Sequence, residues 1–361
     1  MIIKRLELAD YRNYDSLDLQ FDKGTNILYG DNAQGKTNIL EAIYVAATTK
    51  SHKGSKDNEI VNFNKEEAHI RTYLEKEGVE TRVDMHLRKN KSKGIAIDGQ
   101  KIKKAADLLG LCNVVFFSPE DLNIIKNGPA ERRRFVDMEL CQLDSFYLYN
   151  LNHYNKIVNQ RNKLLKDMYM NPELRDTLAI WDSQLVSFGS KIIERRKLFT
   201  DQLNEIIYDI HKKLSGGKED IYVSYEPDVS IESFESRLKA NQERDIKLKQ
   251  TTAGPHRDDF SFMNNNIDIR RFGSQGQQRT AALSLKLSEI ELVKKIAKDT
   301  PILLLDDVLS ELDSNRQNYL LNSIGDIQTI ITCTGLEEFV NNRFEVNKIY
   351  KVTNGVVASE N

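Results

Sequence analysis

The run Gly30-Asp31-Asn32-Ala33-Gln34-Gly35-Lys36-Thr37 has the spacing G-x-x-x-x-G-K-[ST]. Glycines let a backbone turn so that successive N–H groups converge on phosphate oxygens. A helix that begins at the phosphate adds the positive end of its dipole. Lys36 is then expected to reach the β- and γ-phosphates as a point charge, and the Thr37 hydroxyl to ligate Mg²⁺. Ile302-Leu303-Leu304-Leu305-Asp306-Asp307 is an apolar strand-like run ending in two carboxylates. In a nucleotide site Asp306 would hold Mg²⁺, directly or through water, and Asp307 would orient the attacking water. A buried strand ending in a solvated acidic turn has the same pattern. Its pairing with a glycine loop favours chemistry, with Lys36, Asp306 and Asp307 as the expected catalytic set.

A third segment, Ser274-Gln275-Gly276-Gln277-Gln278-Arg279, is a small polar turn that opens a helix running to Lys298. Such an N-terminus binds an anion or is simply capped by its serine. Leu214-Ser215-Gly216-Gly217-Lys218 looks similar, but it ends a long helical stretch and reads as a C-cap.

The elements that must carry these residues follow from periodicity. Residues 2–8 and 26–29 read as strands, and residues 36–47 as a helix through Ile39, Leu40, Ile43 and Ala47. Residues 68–75, 79–87 and 94–102 form a predicted meander with a turn at Asp98-Gly99, and 113–117 a further strand. A helical period runs from Ala130 to about Met168, breaks at Asn171-Pro172, and resumes from Glu173 to Leu214. Two helices of about 40 residues make an antiparallel arm up to about 60 Å long. That is too short for a full SMC-type coiled coil. Residues 302–305 and 327–332 are buried-strand patterns.

Composition bounds the partners. The 361 residues are 40% hydrophobic and 29% charged, which is ordinary globular usage. A net charge of −2 and a pI near 6.4 mean that DNA contact must use local patches. Arg88, Lys89, Lys91, Lys93, Lys101, Lys103 and Lys104 make one such cluster. Lys50, Lys53 and Lys56 make a second, and Arg195, Arg196 and Lys197 a third. Arg132, Arg133 and Arg134 are expected to be structural or interface residues instead. Cys112, Cys141 and Cys333 are sparse and lack metal-ligand spacing. With no apolar leader and no long apolar run, a soluble cytoplasmic protein is expected, with no membrane contact.

Taken together, the motifs resemble the RecF family of bacterial recombination mediators, SMC-like members of the ABC ATPases. The resemblance rests on the glycine loop continuing into Asn38-Ile39-Leu40-Glu41-Ala42-Ile43-Tyr44, and on Pro119-Glu120-Asp121-Leu122. It also rests on Gly128-Pro129, Arg132-Arg133-Arg134-Phe135-Val136-Asp137, Gly254-Pro255-His256-Arg257-Asp258-Asp259 and Gly273–Thr280. The acidic block from Asp306 to Asp313 and the early Tyr11-Arg12-Asn13-Tyr14 complete it, so that essentially the whole chain is covered.

The resemblance implies an α/β protein: an ABC-type ATPase head with a P-loop lobe of mixed sheets (1–117 and 299–361). A helical second lobe (118–298) would carry an antiparallel helix-pair arm and the signature motif. It implies that Arg12 approaches the nucleotide and that Ser274, Gln275 and Gly276 cap ATP held by a second copy. Ser310-Glu311-Leu312-Asp313 stands in the place of a D-loop, and Thr332 and Thr334 where many relatives have a switch histidine. Ala33 stands where many have glycine, and Asp307 where a longer Glu is common, which implies slow turnover. The implied role is an ATP-dependent homodimer on gapped or junction DNA, double-stranded with single-stranded DNA also possible. It would act with RecR and RecO in recombinase loading, replication restart and the SOS response. Other SMC-like repair ATPases, or a transporter subunit, are the alternatives.

Overall fold

Short runs of continuously apolar residues can be satisfied only where both faces of a sheet are covered. Residues 302–305 and Val114–Phe117 are such runs, and every residue in both is buried. The structure, a computed structural model, describes residues 1–168, 170–336 and 346–360. It divides into two units, Met1–Asp121 with Glu289–Asn361, and Leu122–Ser288. The boundaries expected from sequence at 117/118 and 298/299 fall instead at 121/122 and 288/289, the second inside the helix Gln275–Ala297.

The first unit holds two six-stranded sheets. One has the order Tyr14–Gln20, Ile2–Tyr11, Glu67–Lys76, Val79–Arg88, Gly94–Ile97, Gln100–Lys101. Its paired strands are antiparallel. The expected 94–102 strand is two short strands, because Asp98 and Gly99 take positive φ and turn the chain between them.

The other sheet has the order Val356–Glu360, Lys348–Thr353, Thr25–Tyr29, Thr329–Cys333, Ile302–Asp306, Val114–Phe117. It is parallel except for the hairpin at Val356–Glu360. The helix Lys36–Thr48 buries Ile39, Leu40, Ile43 and Val45 within the core of this unit. Each such side chain contributes about 1.5–3 kcal/mol.

The second unit is more than helical, since it contains the sheet Ile267–Asp268, Asp259–Asn264, Ile221–Glu226. The helix expected to run from Ala130 to Met168 is two, Pro129–Leu143 and Ser145–Asp167. Asp144 divides them: its carboxylate accepts from Phe146 N at 2.9 Å and Tyr147 N at 3.1 Å and so caps the second helix. The partner helix begins at Leu178, not Glu173, after a 3₁₀ turn at Pro172–Thr177. Arg161 meets Asp182 and Arg196 meets Tyr147, so Ser145–Asp167 and Leu178–Leu214 run antiparallel. Their 23 and 37 residues correspond to about 35 and 55 Å, not two helices of about 60 Å. Gly217 N donates to Lys212 O at 2.7 Å and ends the longer helix, which settles Gly216-Gly217 as a C-cap.

Candidate nucleotide site

Parallel strands present their carboxyl ends, and the loops after them, on one edge of a sheet. Thr25–Tyr29 delivers Gly30, and Ile302–Asp306 delivers its own last residue; Thr329–Cys333 lies between the two. The register pairs Asp306 with Thr332, and Thr332 with Leu28.

The glycine loop is held in an irregular backbone. Gly35 has φ +115 and immediately precedes the helix Lys36–Thr48. A β-carbon there would lie 2.6 Å from Asn13 Nδ2 and 2.8 Å from the Tyr14 hydroxyl, so a larger residue would have to displace both side chains on a backbone that itself favours glycine. Ala33 also has positive φ, at +63, and is exposed. The loop is braced from two hairpin turns. Asn13 Nδ2 donates to Gln34 O at 3.0 Å and the Tyr14 hydroxyl to Gly35 O at 3.1 Å. From the other turn, Gly355 N donates to Gln34 O at 3.1 Å and Asn354 N to Gln34 Oε1 at 2.6 Å.

Chemistry-bearing side chains converge above this frame. Lys36 Nζ donates to Gly30 O at 2.6 Å and Asp31 O at 2.7 Å. Burial lowers its pKa, opposed chiefly by the charge of Asp307. The Thr37 hydroxyl donates to Asp306 Oδ1 at 2.8 Å, and Thr332 Oγ1 donates to the same oxygen at 2.8 Å. Asp306 is 8% exposed, and burial raises its pKa against those two hydrogen bonds. A hydroxyl and a carboxylate oxygen side by side are hard donors, the set that Mg²⁺ takes. Asp307 sits at φ +54, its N–H donating to Thr332 Oγ1 at 3.1 Å. Backbone strain at a non-glycine residue of this kind concentrates at functional positions. Ser310 Oγ donates to Asp307 O at 2.8 Å, which ties the turn to the segment that follows.

Arg12 is turned to a structural partner. Its guanidinium donates to both oxygens of Glu41, at 2.8 and 2.7 Å, and to Glu59 O and Ser55 Oγ. Glu41 is fully buried, and this pairing keeps its carboxyl below the usual range despite burial. The neighbours Asn13 and Tyr14 grip the loop instead. Periodicity singled out neither residue for that task, nor the Asn354-Gly355 turn; an Asn-Gly pair between two β-prone runs was the available signal.

Ser274, Gln275 and Gly276 belong to the second unit and are exposed. Ser274 and Gln277 form a reciprocal cap: Gln277 N donates to Ser274 Oγ at 3.2 Å and Ser274 N to Gln277 Oε1 at 2.8 Å. The N-terminus of this 23-residue helix is exposed to solvent.

The basic residues divide into those held by carboxylate or carbonyl oxygens and those left exposed, and only the cluster at Arg195 and Arg196 departs from expectation. Arg196 is 1% exposed and binds Asp137 and Asp258, both at 2.8 Å, so it cannot meet a polyanion. Arg195 pairs with Asp144. Arg132 pairs with Asp259 at 2.7 Å and Arg133 donates to Asp258 O at 2.6 Å, a structural use. In the 88–104 cluster, Lys93 is tied to Asp57 and Thr49 O, whereas Lys91, Lys101, Lys103 and Lys104 are exposed. Lys50, Lys53 and Lys56 are exposed as well.

Residues 2–358 match the family model described as RecF/RecN/SMC N terminal domain. A protein named "DNA replication and repair protein RecF" from Lachnospira eligens is 63% identical over 363 residues, covering all of both chains. A solved structure described as the recombination mediator protein RecF with ATP in the RecFOR pathway superposes with a TM-score of 0.94 at 34% identity. That match covers 99% of this chain and 97% of the other. An Smc head bound to the C-winged helix domain of ScpA matches at TM-score 0.58 and 16% identity, over 100% of this chain and 98% of that one, a likeness of fold alone. A glycine loop and an acidic strand in an SMC-like, ABC-type ATPase fold, together with a RecF relative 63% identical over the whole chain, mean that the chain belongs to the RecF family.

Proposed function

We propose that the chain is a nucleotide-gated clamp of DNA replication and repair, hydrolysing ATP slowly to release DNA. The observation that carries this reading is the Thr37–Asp306 hydrogen bond, which joins the glycine loop to the acidic strand in one oxygen-donor set. Backbone N–H groups of residues 30–37 and Lys36 would bind the phosphates. Thr37 and Asp306 would hold Mg²⁺, which neutralises the charge that develops on the transferred phosphoryl group. Asp307 would orient the attacking water; its carboxylate is one methylene shorter than that of Glu, which supports slow turnover.

The exposed, capped helix N-terminus at Ser274-Gln275-Gly276 supports a shared site. In this reading it meets the γ-phosphate bound by a second copy, so that ATP joins the dimer and hydrolysis parts it. The functional lobes would then be the first unit for ATP and the second for capping. The relative's name, DNA replication and repair protein RecF, and the RecFOR pathway named for the similar structure support work on DNA with RecR and RecO; gapped or junction DNA and a cytoplasmic setting belong to the same proposal. The exposed lysines 91, 101, 103 and 104 are the proposed phosphate contacts.

Sedimentation with and without ATP tests the clamp. The unaltered chain should become dimeric on adding ATP. Lys36→Met, which loses the phosphate contact, and Ser274→Arg, which blocks the cap, should both stay monomeric. If both still dimerise with ATP, the shared site is wrong.

A further inference from the structure

Along Glu67–Lys76 burial alternates: Ala68 and Ile70 face the core, while Glu67 and His69 face outward. In Val79–Arg88 the core residues are Val83, Met85 and Leu87, which turns His86 to the same outer face. The antiparallel register places His69 directly opposite His86. Their rings stack with centroids 4.2 Å apart and planes 17° from parallel. Glu67 reaches diagonally, its Oε2 lying 2.8 Å from His86 Nε2. One donor atom from each of the three side chains lies within 4.8 Å of the other two.

The rest of this face is built differently. Arg71 pairs with Glu7 and Asp84, and Arg5 with Asp18, which are ordinary cross-strand charge pairs. A carboxylate beside one imidazole would complete such a pair. A second imidazole stacked on the first adds nothing to it, and the two repel when both are protonated. His69 and His86 line a cleft of about 730 Å³, so the ring nitrogens are accessible from outside. The glycine loop and Asp306 do not line that cleft.

We propose that Glu67, His69 and His86 bind one Zn²⁺ ion as a cross-strand staple. Two imidazoles and one carboxylate are a three-ligand set for tetrahedral zinc, with the fourth position left to water or an anion. Bond lengths of about 2.0–2.2 Å put tetrahedral donors about 3.4 Å apart, so Glu67 Oε2 and His86 Nε2, now 2.8 Å apart, must separate slightly to admit the ion. Only χ rotations of Glu67, His69 and His86 are needed, since the paired backbone already sets them side by side. Nitrogen ligands suit zinc, whereas Mg²⁺ prefers oxygen, so this site and the nucleotide site select different ions.

Zn²⁺ titrated into the metal-free full chain and followed by calorimetry tests the assignment, with Co²⁺ as a spectroscopic stand-in. One saturable site per chain is expected, and bound Co²⁺ should give the strong visible absorption of four-coordination. His69→Gln and His86→Gln should each weaken binding by about tenfold or more and abolish that absorption. Melting of the metal-free variants should match the parent, because these side chains are not core residues. Added Zn²⁺ should raise the melting temperature of the parent alone. Binding that is equally strong in the double variant, or absence of saturable binding at micromolar Zn²⁺, overturns the site.

Discussion

Thr37 and Asp306 are separated by 269 residues and joined by one hydrogen bond of 2.8 Å. The bond exists because two parallel strands, one on either side of Thr329–Cys333, end on the same edge of the sheet. Thr332, on the strand between them, donates to the same carboxylate oxygen. Replacing Asp306 with Asn keeps an oxygen that can accept from both hydroxyls but removes the charge. Asp306→Asn is therefore expected to melt within a few degrees of the parent while ATP hydrolysis falls about 10²-fold or more. Steady-state phosphate release and a thermal melt check both halves of that statement.

Ala33 holds φ +63 in the glycine loop, where its β-carbon works against the left-handed conformation. Ala33→Gly relieves about 1 kcal/mol of strain but frees the unfolded chain by up to a similar amount. The net shift in a urea titration should stay within about 1 kcal/mol of zero. Nucleotide exchange is expected to quicken, because the loop loses stiffness; stopped-flow release of a fluorescent ATP analogue reads it.

Arg196 lies at the centre of the second unit. It donates to Tyr147, Pro255 O, Asp258 and Asp137, while Asp258 also accepts from Tyr225 and Asp228 N. Removing one member leaves a buried charge without its partner. Asp258→Ala or Arg196→Leu should destabilise the unit by about 3–5 kcal/mol, read as a shifted denaturant midpoint.

His256 is a half-buried neutral ring between the Tyr154 hydroxyl, 2.7 Å from Nδ1, and Thr251 O, 3.1 Å from Nε2. Burial, with help from nearby Arg257, lowers its pKa from 6.5 to about 4. Between those values the unfolded chain binds a proton that the folded chain refuses. The ring's contribution is thus complete above about pH 6.5 and is lost as pH falls toward 4, by about 3 kcal/mol in all. His256→Gln should flatten stability across that interval, as measured by denaturation at stepped pH.

Lys101, Lys103 and Lys104 are exposed cations at the end of a strand meander. If they meet DNA phosphates, changing all three to Ala lowers the slope of log K against log salt by up to about 3. The loss should be similar for different sequences, because phosphate contacts do not read bases. Fluorescence anisotropy at several salt concentrations gives the slope.

Much of the candidate site was legible because the chemistry proposed for it is local. A phosphate cradle needs its glycines, lysine and threonine within eight neighbouring positions, so the run Gly30–Thr37 announces itself. The apolar strand with a carboxylate at its end is equally compact, as is the glycine-ended helix at Gly216-Gly217. Periodicity also gave the strands of the meander, since alternation survives wherever one face is buried.

What periodicity could not decide was which partner a side chain would choose across the fold. Asp144 interrupts a helical pattern that continues through it, because a capping carboxylate acts on two N–H groups and leaves the apolar spacing unbroken. Arg196 read as a cation free to meet phosphate, yet Asp137 and Asp258, distant in sequence, neutralise it inside the protein, and half-buried Arg12 is paired with Glu41. The motifs at Arg132–Asp137 and Gly254–Asp259, which carried the family resemblance, meet one another around Arg196 and hold a core together. Sequence alone determined the chemistry that a short loop can perform. The tertiary structure decided which charges are left to perform it, because a charge is silenced by its neighbours in space and not by those in the chain.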